Sequence, residues 1–399
     1  MKMAIIGSGP LAILSASHFD QLGAEVVLFQ RTPLGGNLRF LMEHFPEFKI
    51  DFNNAQMSVN DFFIEHIVPA VIELEKYELT KQGDVLRVHK RFLHKDETIE
   101  GKSRLYDLFR VIYSLNPKDT ILKQMEETPD LFKDLGADVI NSLHKPVESF
   151  ADFDIVIEAT GFGKEVMPAG AGNSFALNEF NLQDSSVLYY QNDIFTKLDL
   201  TGKKSIILVG EGAQLKLALL KFKDWLLEAP GRELHWVTYD KSDKPCGISW
   251  LDQKTSEFLS EIEVRFEQSK LEFEKKIHEW RDLEDYVKVK VPKPLEPTPL
   301  LVQHIGFDVT SVDRLLDRDG VFATIESPDF RAHSNKPQEM MTLAGDALCI
   351  ARGVKDVSLG QGFHAVEPGY YILNSKDLDT AVTDIKKIEE NVLNYFKKA

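Results

Sequence analysis

The sequence predicts an α/β protein built on two Rossmann-like dinucleotide-binding units. Three observations carry this expectation. An apolar run at 3–7 ("MAIIG") passes through a glycine turn into a helical stretch, and a second apolar run, "AEVVLFQ", ends at Gln30. The same order of strand, GxG turn, helix and strand recurs in "KKSIILVGEGAQLKLALLKFKDWLLEAPGRELHWVTYD", which begins at 203. Two further runs end in glycine motifs, "DIVIEATG" and "MMTLAGDA". One such turn is a common accident, whereas a motif repeated in order along the chain is not.

The elements follow in turn. Residues 3–7 have the length of a buried strand. Gly7–Pro10 is a turn, and Leu11–Leu22 reads as a helix that Gly23 ends. Residues 33–50 read as a glycine-containing loop with aromatic and apolar content. Val59–Glu75 reads as an amphipathic helix. Residues 77–115 alternate as strands do, with a helix as the alternative for Leu105–Tyr113. "DIVIEAT" is a strand that stops at Gly161, and 164–185 has the Gly, Pro, Asn and Ala content of a domain crossing. After the second unit, 253–290 is highly charged with Leu, Phe, Ile and Trp at helical spacing. It reads as a long solvated helix or helical pair, with partner docking as the sharper alternative. "KVPKPLEPTP" stops it. "LLVQHIGFDVTSVDRLL" reads as strand, glycine turn and helix, "GVFATIESPDF" as a hairpin, and "MMTLAGDA" as a strand. A final helical stretch is expected from Gly362, with an amphipathic helix over 377–397.

The chain has 399 residues, with 47 Lys and Arg against 63 Asp and Glu, a net charge of −16. This balance argues against nucleic acid or an anionic membrane as partner. The two cysteines, Cys246 and Cys349, form no CxxC. That excludes a cysteine-rich zinc site, a four-thiolate cluster and a local redox pair, and a cytoplasmic location is expected. Gly7, Gly9 and Pro10 interrupt the apolar start before it could serve as a signal peptide. No run approaches the roughly 18 apolar residues of a membrane helix. No His, Asp and Glu set has metal-ligand spacing.

Four segments carry the chemistry of the first unit. In Gly7-Ser8-Gly9-Pro10-Leu11-Ala12, Gly7 allows a tight turn, Gly9 lets backbone approach a pyrophosphate, and Ala12 lets helix pack on strand. The helix start supplies free N–H groups and partial positive charge. Gln30 stands where an acid would accept from ribose hydroxyls. A Gln carbonyl accepts without the charge, at a loss of about 1 kcal/mol. Arg31 is placed to stack on a base or to pair with a phosphate. Gly35-Gly36-Asn37-Leu38 lets backbone lie against a flat or phosphorylated ligand. Thr160-Gly161 ends a strand that can pass close to a cofactor. Gly345-Asp346 puts a carboxylate at a strand end, suited to a ribose hydroxyl. Gln361 and Gly362, in "LGQGFHAVEPG", can open a helix toward the same ligand.

In this order the segments resemble the flavoprotein oxidoreductases with two dinucleotide-binding domains: the thioredoxin reductase, glutamate synthase small-subunit and flavin-containing monooxygenase group. The resemblance spans most of the chain: GxGxxA at 7–12, "LGGNL" at 34–38, "VIEATG" at 156–161, GxGxxL at 210–215 and "AGD" at 344–346. It implies FAD at Gly7, Gly9, Gly36, Leu38 and Asp346, and a second domain inserted in the first. The division expected is 1–180, an NAD(P)-binding-like insert at 181–305 carrying the charged helix, and a return at 306–399. It implies hydride passing from NADH or NADPH through flavin to a small-molecule or protein acceptor, and it admits a homodimer.

The departures shape what remains open. The thiol pair of the disulfide reductases, the cysteines of the iron–sulfur branch and the monooxygenase "FxGxxxHxxx" signature are absent. The second turn keeps Gly210 and Gly212, with Gln214 in the helix start. Glu211 opposes a phosphate, however, and Leu215 replaces a small residue. Asp240 suits an NAD 2′-hydroxyl, while Lys241 and Lys244 suit a 2′-phosphate. His364 is the one catalytic candidate, as a proton donor or as a structural helix start. A non-catalytic flavin or nucleotide binder, a sensor or assembly protein with an eroded NAD(P)H site, stands as the alternative.

Overall fold

In the computed structural model both central sheets follow one five-strand plan. The structure describes the chain apart from positions 54, 92–107, 116–124, 126, 132, 134, 137, 140–144, 161–165, 184, 230, 240–244, 315–319, 328–338, 355–357, 362–367, 376 and 398–399. The chain forms two units, Met1–Gly163 with Asp356–Ala399, and Lys164–Lys355.

The first unit opens with β1 (Lys2–Ile6), α1 (Pro10–Gln21) and β2 (Glu25–Gln30). Met3 to Ile6 are all buried, which is why an unbroken apolar run is a strand here. Next come α2 (Asn37–His44), the hairpin β3 (Lys49–Phe52) and β4 (Ala55–Ser58), then α3 (Val59–Phe62) and α4 (Val68–Lys76). A π-helical turn at Phe63–Ile67 joins α3 to α4. The Ser58 hydroxyl caps α3 by accepting from Asp61 N at 3.1 Å. After β5 (Thr80–Gln82), β6 (Asp84–Lys90), β7 (Phe109–Leu115) and β8 (Val147–Phe153) form an antiparallel meander. The chain then enters β9 (Ile155–Glu158).

The second unit repeats the plan. β10 (Leu188–Tyr190) and α5 (Gln191–Thr196) precede β11 (Ser205–Gly210), α6 (Gly212–Glu228) and β12 (Glu233–Thr238). The long α7 (Ser249–Arg281) and short α8 (Asp285–Lys288) lead to β13 (Leu301–Ile305). A second meander, β14 (Asp308–Arg314), β15 (Val321–Glu326) and β16 (Met340–Gly345), feeds β17 (Ala347–Ala351). Back in the first unit lie β18 (Tyr370–Ile372) and α9 (Leu378–Lys397). His18 of α1 bonds Glu389 of α9 at 2.9 Å.

The sheets run β18-β9-β1-β2-β5 and β10-β17-β11-β12-β13, all parallel. Position by position, β9 corresponds to β17, β1 to β11, and β18 to β10. Val85, Val88, Phe109 and Val111 of the first meander bury against the sheet residues Ala4, Ile6 and Phe29. Val309, Val312, Ala323 and Ile325 of the second do so with Ile207, Val209 and Val237. Among the described residues no helix is long and apolar enough to cross a membrane.

Several elements differ from expectation. Residues 37–44, read within a loop, are helical. Phe109–Leu115 is a strand, so the helical option for Leu105–Tyr113 falls where the residues are described. Asp308–Arg314 is a strand rather than a helix, and its bulge between Val309 and Ser311 explains the misreading. The bulge stretches the apolar spacing to three residues, Val309 to Val312, which imitates a helix. "GVFATIESPDF" supplies the single strand β15, not a hairpin. Tyr370–Ile372, within the stretch expected to be helical from Gly362, is a strand.

The largest correction concerns Gly345 and Asp346. The chain returns to the first unit at Asp356, not at 306, so both residues belong to the second. Asp346 Oδ2 accepts from Lys204 N at 2.6 Å and Ser205 N at 3.1 Å, and Asp346 N donates to Ser205 O at 2.7 Å. A Cβ on Gly345 would sit 3.0 Å from Ile207. This pair fastens the meander to the start of β11, about 16 Å of strand away from the glycine turn at its other end. Asp346→Ala should therefore lower the unfolding free energy by about 1–3 kcal/mol while leaving any retained flavin unchanged. Denaturant melts and visible absorbance read the two effects, and flavin loss without destabilisation would reverse the assignment.

His304 of β13 is buried beside His235 of β12, with Nε2 and Nδ1 3.2 Å apart. Burial first, then the neighbouring imidazole, lowers the His304 pKa from 6.5 to about 4. Glu233, 3.7 Å from His235, is the nearby acid. His304 is thus neutral in the fold, while the unfolded chain takes up its proton near 6.5. Its stabilisation, at most about 3 kcal/mol, is complete above that pH and is lost as pH falls through the folded value. His304→Phe should flatten the decline of unfolding free energy between pH 6.5 and 4, and an unchanged slope would assign the acid lability to other groups.

Candidate functional site

The first-unit site begins with a steric constraint. Gly7 N donates to Phe29 O at 2.9 Å, and φ at Gly7 is +147°. A Cβ there would collide with the Ala159 carbonyl and sit 3.0 Å from Ala12 Cβ. Gly7 and the fully buried Ala12 are thus packing requirements that bring β1, β9 and α1 together.

Gly9 is different. It is the extended N-cap of α1, with φ −80° and ψ 175°, followed by Pro10 and Leu11. A Cβ on Gly9 would meet nothing within 4 Å. No side chain caps α1, and its first turn carries no acid. Gly36 is the N-cap of α2, at φ 48° and ψ −124°, also without a side-chain cap or first-turn acid. Its missing Cβ would stand 3.1 Å from Gly9 Cα. Gly35 N donates to Ser8 O at 2.8 Å, and the Ser8 and Thr32 hydroxyls are 2.5 Å apart. Two uncapped helix starts therefore lie backbone against backbone beside open space, an anion cradle by geometry and charge. Asn37 opens α2 with its side chain exposed, and Leu38 is buried. Sequence reasoning placed the glycines but missed α2. The spacing of Leu38, Leu41 and Met42 after a Gly-Gly-Asn start was the available signal.

Gln30 ends β2, its backbone O accepting from Gly83 N at 2.9 Å. Its Oε1 is buried with no hydrogen-bond partner among the described residues. A buried acceptor left empty costs about 1–3 kcal/mol, so this atom calls for a donor such as a ribose hydroxyl. Arg31 beside it is exposed. The cradle, the open space at Gly9 and the orphaned acceptor together fit a dinucleotide such as FAD.

Thr160 follows β9, exposed, with Oγ1 3.5 Å from Glu158 Oε1. Glu158 itself escaped sequence reasoning. Only 3% exposed, it accepts from Leu359 N at 3.1 Å, from Ser358 Oγ at 3.2 Å and from the Tyr370 hydroxyl. Burial, then the Glu158 charge, pushes the Tyr370 phenol well above its usual pKa. Gln361 N donates to Val88 O at 2.8 Å. These bonds fasten the returning segment onto the sheet of the first unit. Gly161, Gly362 and His364 lie outside the described residues.

In the second unit, a Cβ on Gly210 would collide with the Ala351 carbonyl, as at Gly7. Glu211 is the exposed, extended N-cap of α6, and Gly212 takes φ +65°. Leu215 is buried at the position of Ala12. Gln214 Oε1 accepts from Gln191 Nε2 at 2.5 Å. Arg352, where the first unit has Thr160, donates to Asp308 at 2.7 Å and to Gly170 O at 2.6 Å. Asp240 and Lys241 lie outside the described residues. Cys349 is fully buried, and burial pushes its thiol far above the usual range. Among the described residues no group of His, Cys, Asp and Glu could hold a metal ion.

The sheet order, the meanders and the two glycine turns define the class. The chain has the fold of the two-domain flavoprotein oxidoreductases. Thioredoxin reductase of T. acidophilum superposes with a TM-score of 0.51 at 11% identity, covering 99% of this chain and 98% of that one. DfoA bound to FAD, a cadaverine monooxygenase of the desferrioxamine pathway of Erwinia amylovora, gives 0.54 at 12% identity, covering 98% and 94%. In sequence, the flavin-containing monooxygenase iboF of Amanita muscaria is 34% identical over 93 residues. That match covers 22% of this chain and 17% of the relative. No family model matches.

If the cradle takes FAD with its ribose at Gln30, Gln30→Glu should tighten it about three- to tenfold, since a charged acceptor bonds a ribose hydroxyl more strongly. Equilibrium dialysis of FAD measures this, and weaker retention would mean that the ribose is held elsewhere, first by Arg31.

Proposed function

We propose that the protein is an FAD-dependent oxidoreductase that takes reducing equivalents from NADH or NADPH for an acceptor outside the chain. One observation carries the reading: the contact of Gly9 with Gly36, which sets two uncapped helix starts side by side. A single uncapped helix start is common, but two meeting at glycine backbone favour an extended diphosphate. The FAD-bound Erwinia amylovora enzyme and the Amanita muscaria segment support the same choice of cofactor.

In this reading FAD, when bound, supplies two-electron chemistry at its isoalloxazine ring. The chain's own residues bind and orient. Gly9, Pro10, Leu11 and Gly36 to Leu38 hold the pyrophosphate, and Gln30 accepts from the adenosine ribose. Thr160 and Gln361 flank the ends of β9 and of the returning segment. The Gly210–Gln214 turn of the second unit holds NAD(P)H less firmly, because the Glu211 carboxylate stands in the phosphate loop. That charge favours a second reading, a flavoprotein whose nicotinamide site has decayed.

Two measurements test this. The purified protein should be yellow and should bleach when NADH or NADPH is added without oxygen. A colourless protein that takes up no FAD would sink the proposal, and a yellow one that neither nucleotide bleaches would favour the second reading. Gly9→Asp supplies a good helix cap but sets a carboxylate against the pyrophosphate. It should cost at least about tenfold in FAD affinity without lowering the melting temperature of the apoprotein.

A further inference from the structure

The second unit contains a buried amide whose carbonyl oxygen has no partner. Gln191, the first residue of α5, is 8% exposed. Its Nε2 donates to Gln214 Oε1 at 2.5 Å, which fixes the plane of the amide. Its Oε1 is buried and has no hydrogen-bond partner among the described residues. Gln214 lies in the first turn of α6, and a Cβ on Gly353 would rest 3.6 Å from Gln214 Cγ. The orphaned oxygen therefore lies at the carboxyl ends of β10, β17 and β11, beside the glycine turn. Ligands of open parallel sheets bind at such ends.

The position along the sheet selects the half of the ligand. With a pyrophosphate over the turn after β11, one nucleoside extends toward β12 and the other across β17 toward β10. The adenosine side is the β12 side, where a ribose is read after the second strand. Gln191 is on the opposite side, two strands from β11. A neutral buried acceptor selects a neutral donor, because a cation would gain no charge partner there and a carboxylate would be repelled.

We infer that Gln191, held by Gln214, is a specificity residue for the nicotinamide nucleoside of NAD(P), its Oε1 accepting the carboxamide N–H. The inference rests on the proposed nucleotide site of the second unit and goes beyond it by assigning the residue that tells an amide-bearing nucleoside from one without the amide. The first unit has no counterpart: β18, which corresponds to β10, runs into Leu373 where β10 runs into Gln191.

The test is equilibrium binding of oxidised NAD to the full chain, which avoids turnover, set beside 3-acetylpyridine adenine dinucleotide, which has a methyl ketone in place of the amide. Wild type should bind NAD about five- to tenfold more tightly than the analogue. Gln191→Met keeps the length and volume and removes the acceptor, so it should weaken NAD by the same factor and erase the preference. Gln214→Met frees the amide plane and should reduce the preference in part. Circular dichroism melts of both variants confirm that they fold. If Gln191→Met weakens NAD and the analogue alike, Gln191 meets a ribose hydroxyl and the carboxamide assignment is overturned. If it changes neither, the residue does not read the ligand. If wild type binds none of NAD, NADP and the analogue, with FAD still retained by the first unit, the nucleotide site itself is refuted along with the inference.

Discussion

A single backbone contact organises each unit. At Gly7 and again at Gly210, the chain leaves the central strand, β1 or β11, so close to the carbonyl at the end of the adjacent strand, Ala159 or Ala351, that no side chain fits. That approach draws the turn down to the sheet and sets the following helix start at the strand ends. Everything at the candidate sites is referred to it: the helix dipole, the neighbouring strand ends and the residues just beyond them. The units then diverge in what they add. The first brings a second glycine helix start against the first. The second places a carboxylate, Glu211, in the same neighbourhood and a bulky Leu215 behind it.

This divergence shows how much was legible in the sequence. Gly7, Gly9 and Ala12 were legible because their requirement is steric and local, and a short window carries it. Gln30 was legible as a departure from a pattern. Asp346 was misassigned for a physical reason. Both units send a meander into a parallel strand, so "ADFDIVIEATG" and "LAGDALCIARG" look alike, and only strand pairing shows which sheet each enters. Glu158 and Gln191 were invisible because their character comes from burial and from partners as much as 212 residues away in sequence or, for the Gln191 carbonyl oxygen, from the lack of one among the described residues. The bulge in β14 converted a period of two into a spacing of three, and no local rule could have restored it.

The orphaned acceptors repay comparison. Gln30 and Gln191 each keep a buried carbonyl oxygen without a partner among the described residues, one at the end of β2 and one just after β10. In a folded chain nearly all such atoms are satisfied, so leaving two of them open costs stability. Both lie at the carboxyl ends of parallel strands, where the fold presents its ligand-facing edge. Amides in both places, rather than acids, present acceptors without adding negative charge to a chain already at −16.

The two sheets share one strand order but not one sequence order. In the second unit the outer strand, β10, is made before the rest, while in the first its counterpart, β18, is made last. Glu158 must wait for Leu359, 201 residues downstream, before its carboxylate is satisfied. Closing an open coil of that length costs somewhat more than closing a shorter one, about 0.6 kcal/mol for each doubling. A folded second unit shortens the coil that has to close. During synthesis the continuous unit, Lys164–Lys355, is therefore complete before the segment from Asp356 on, which the first unit needs, has been made.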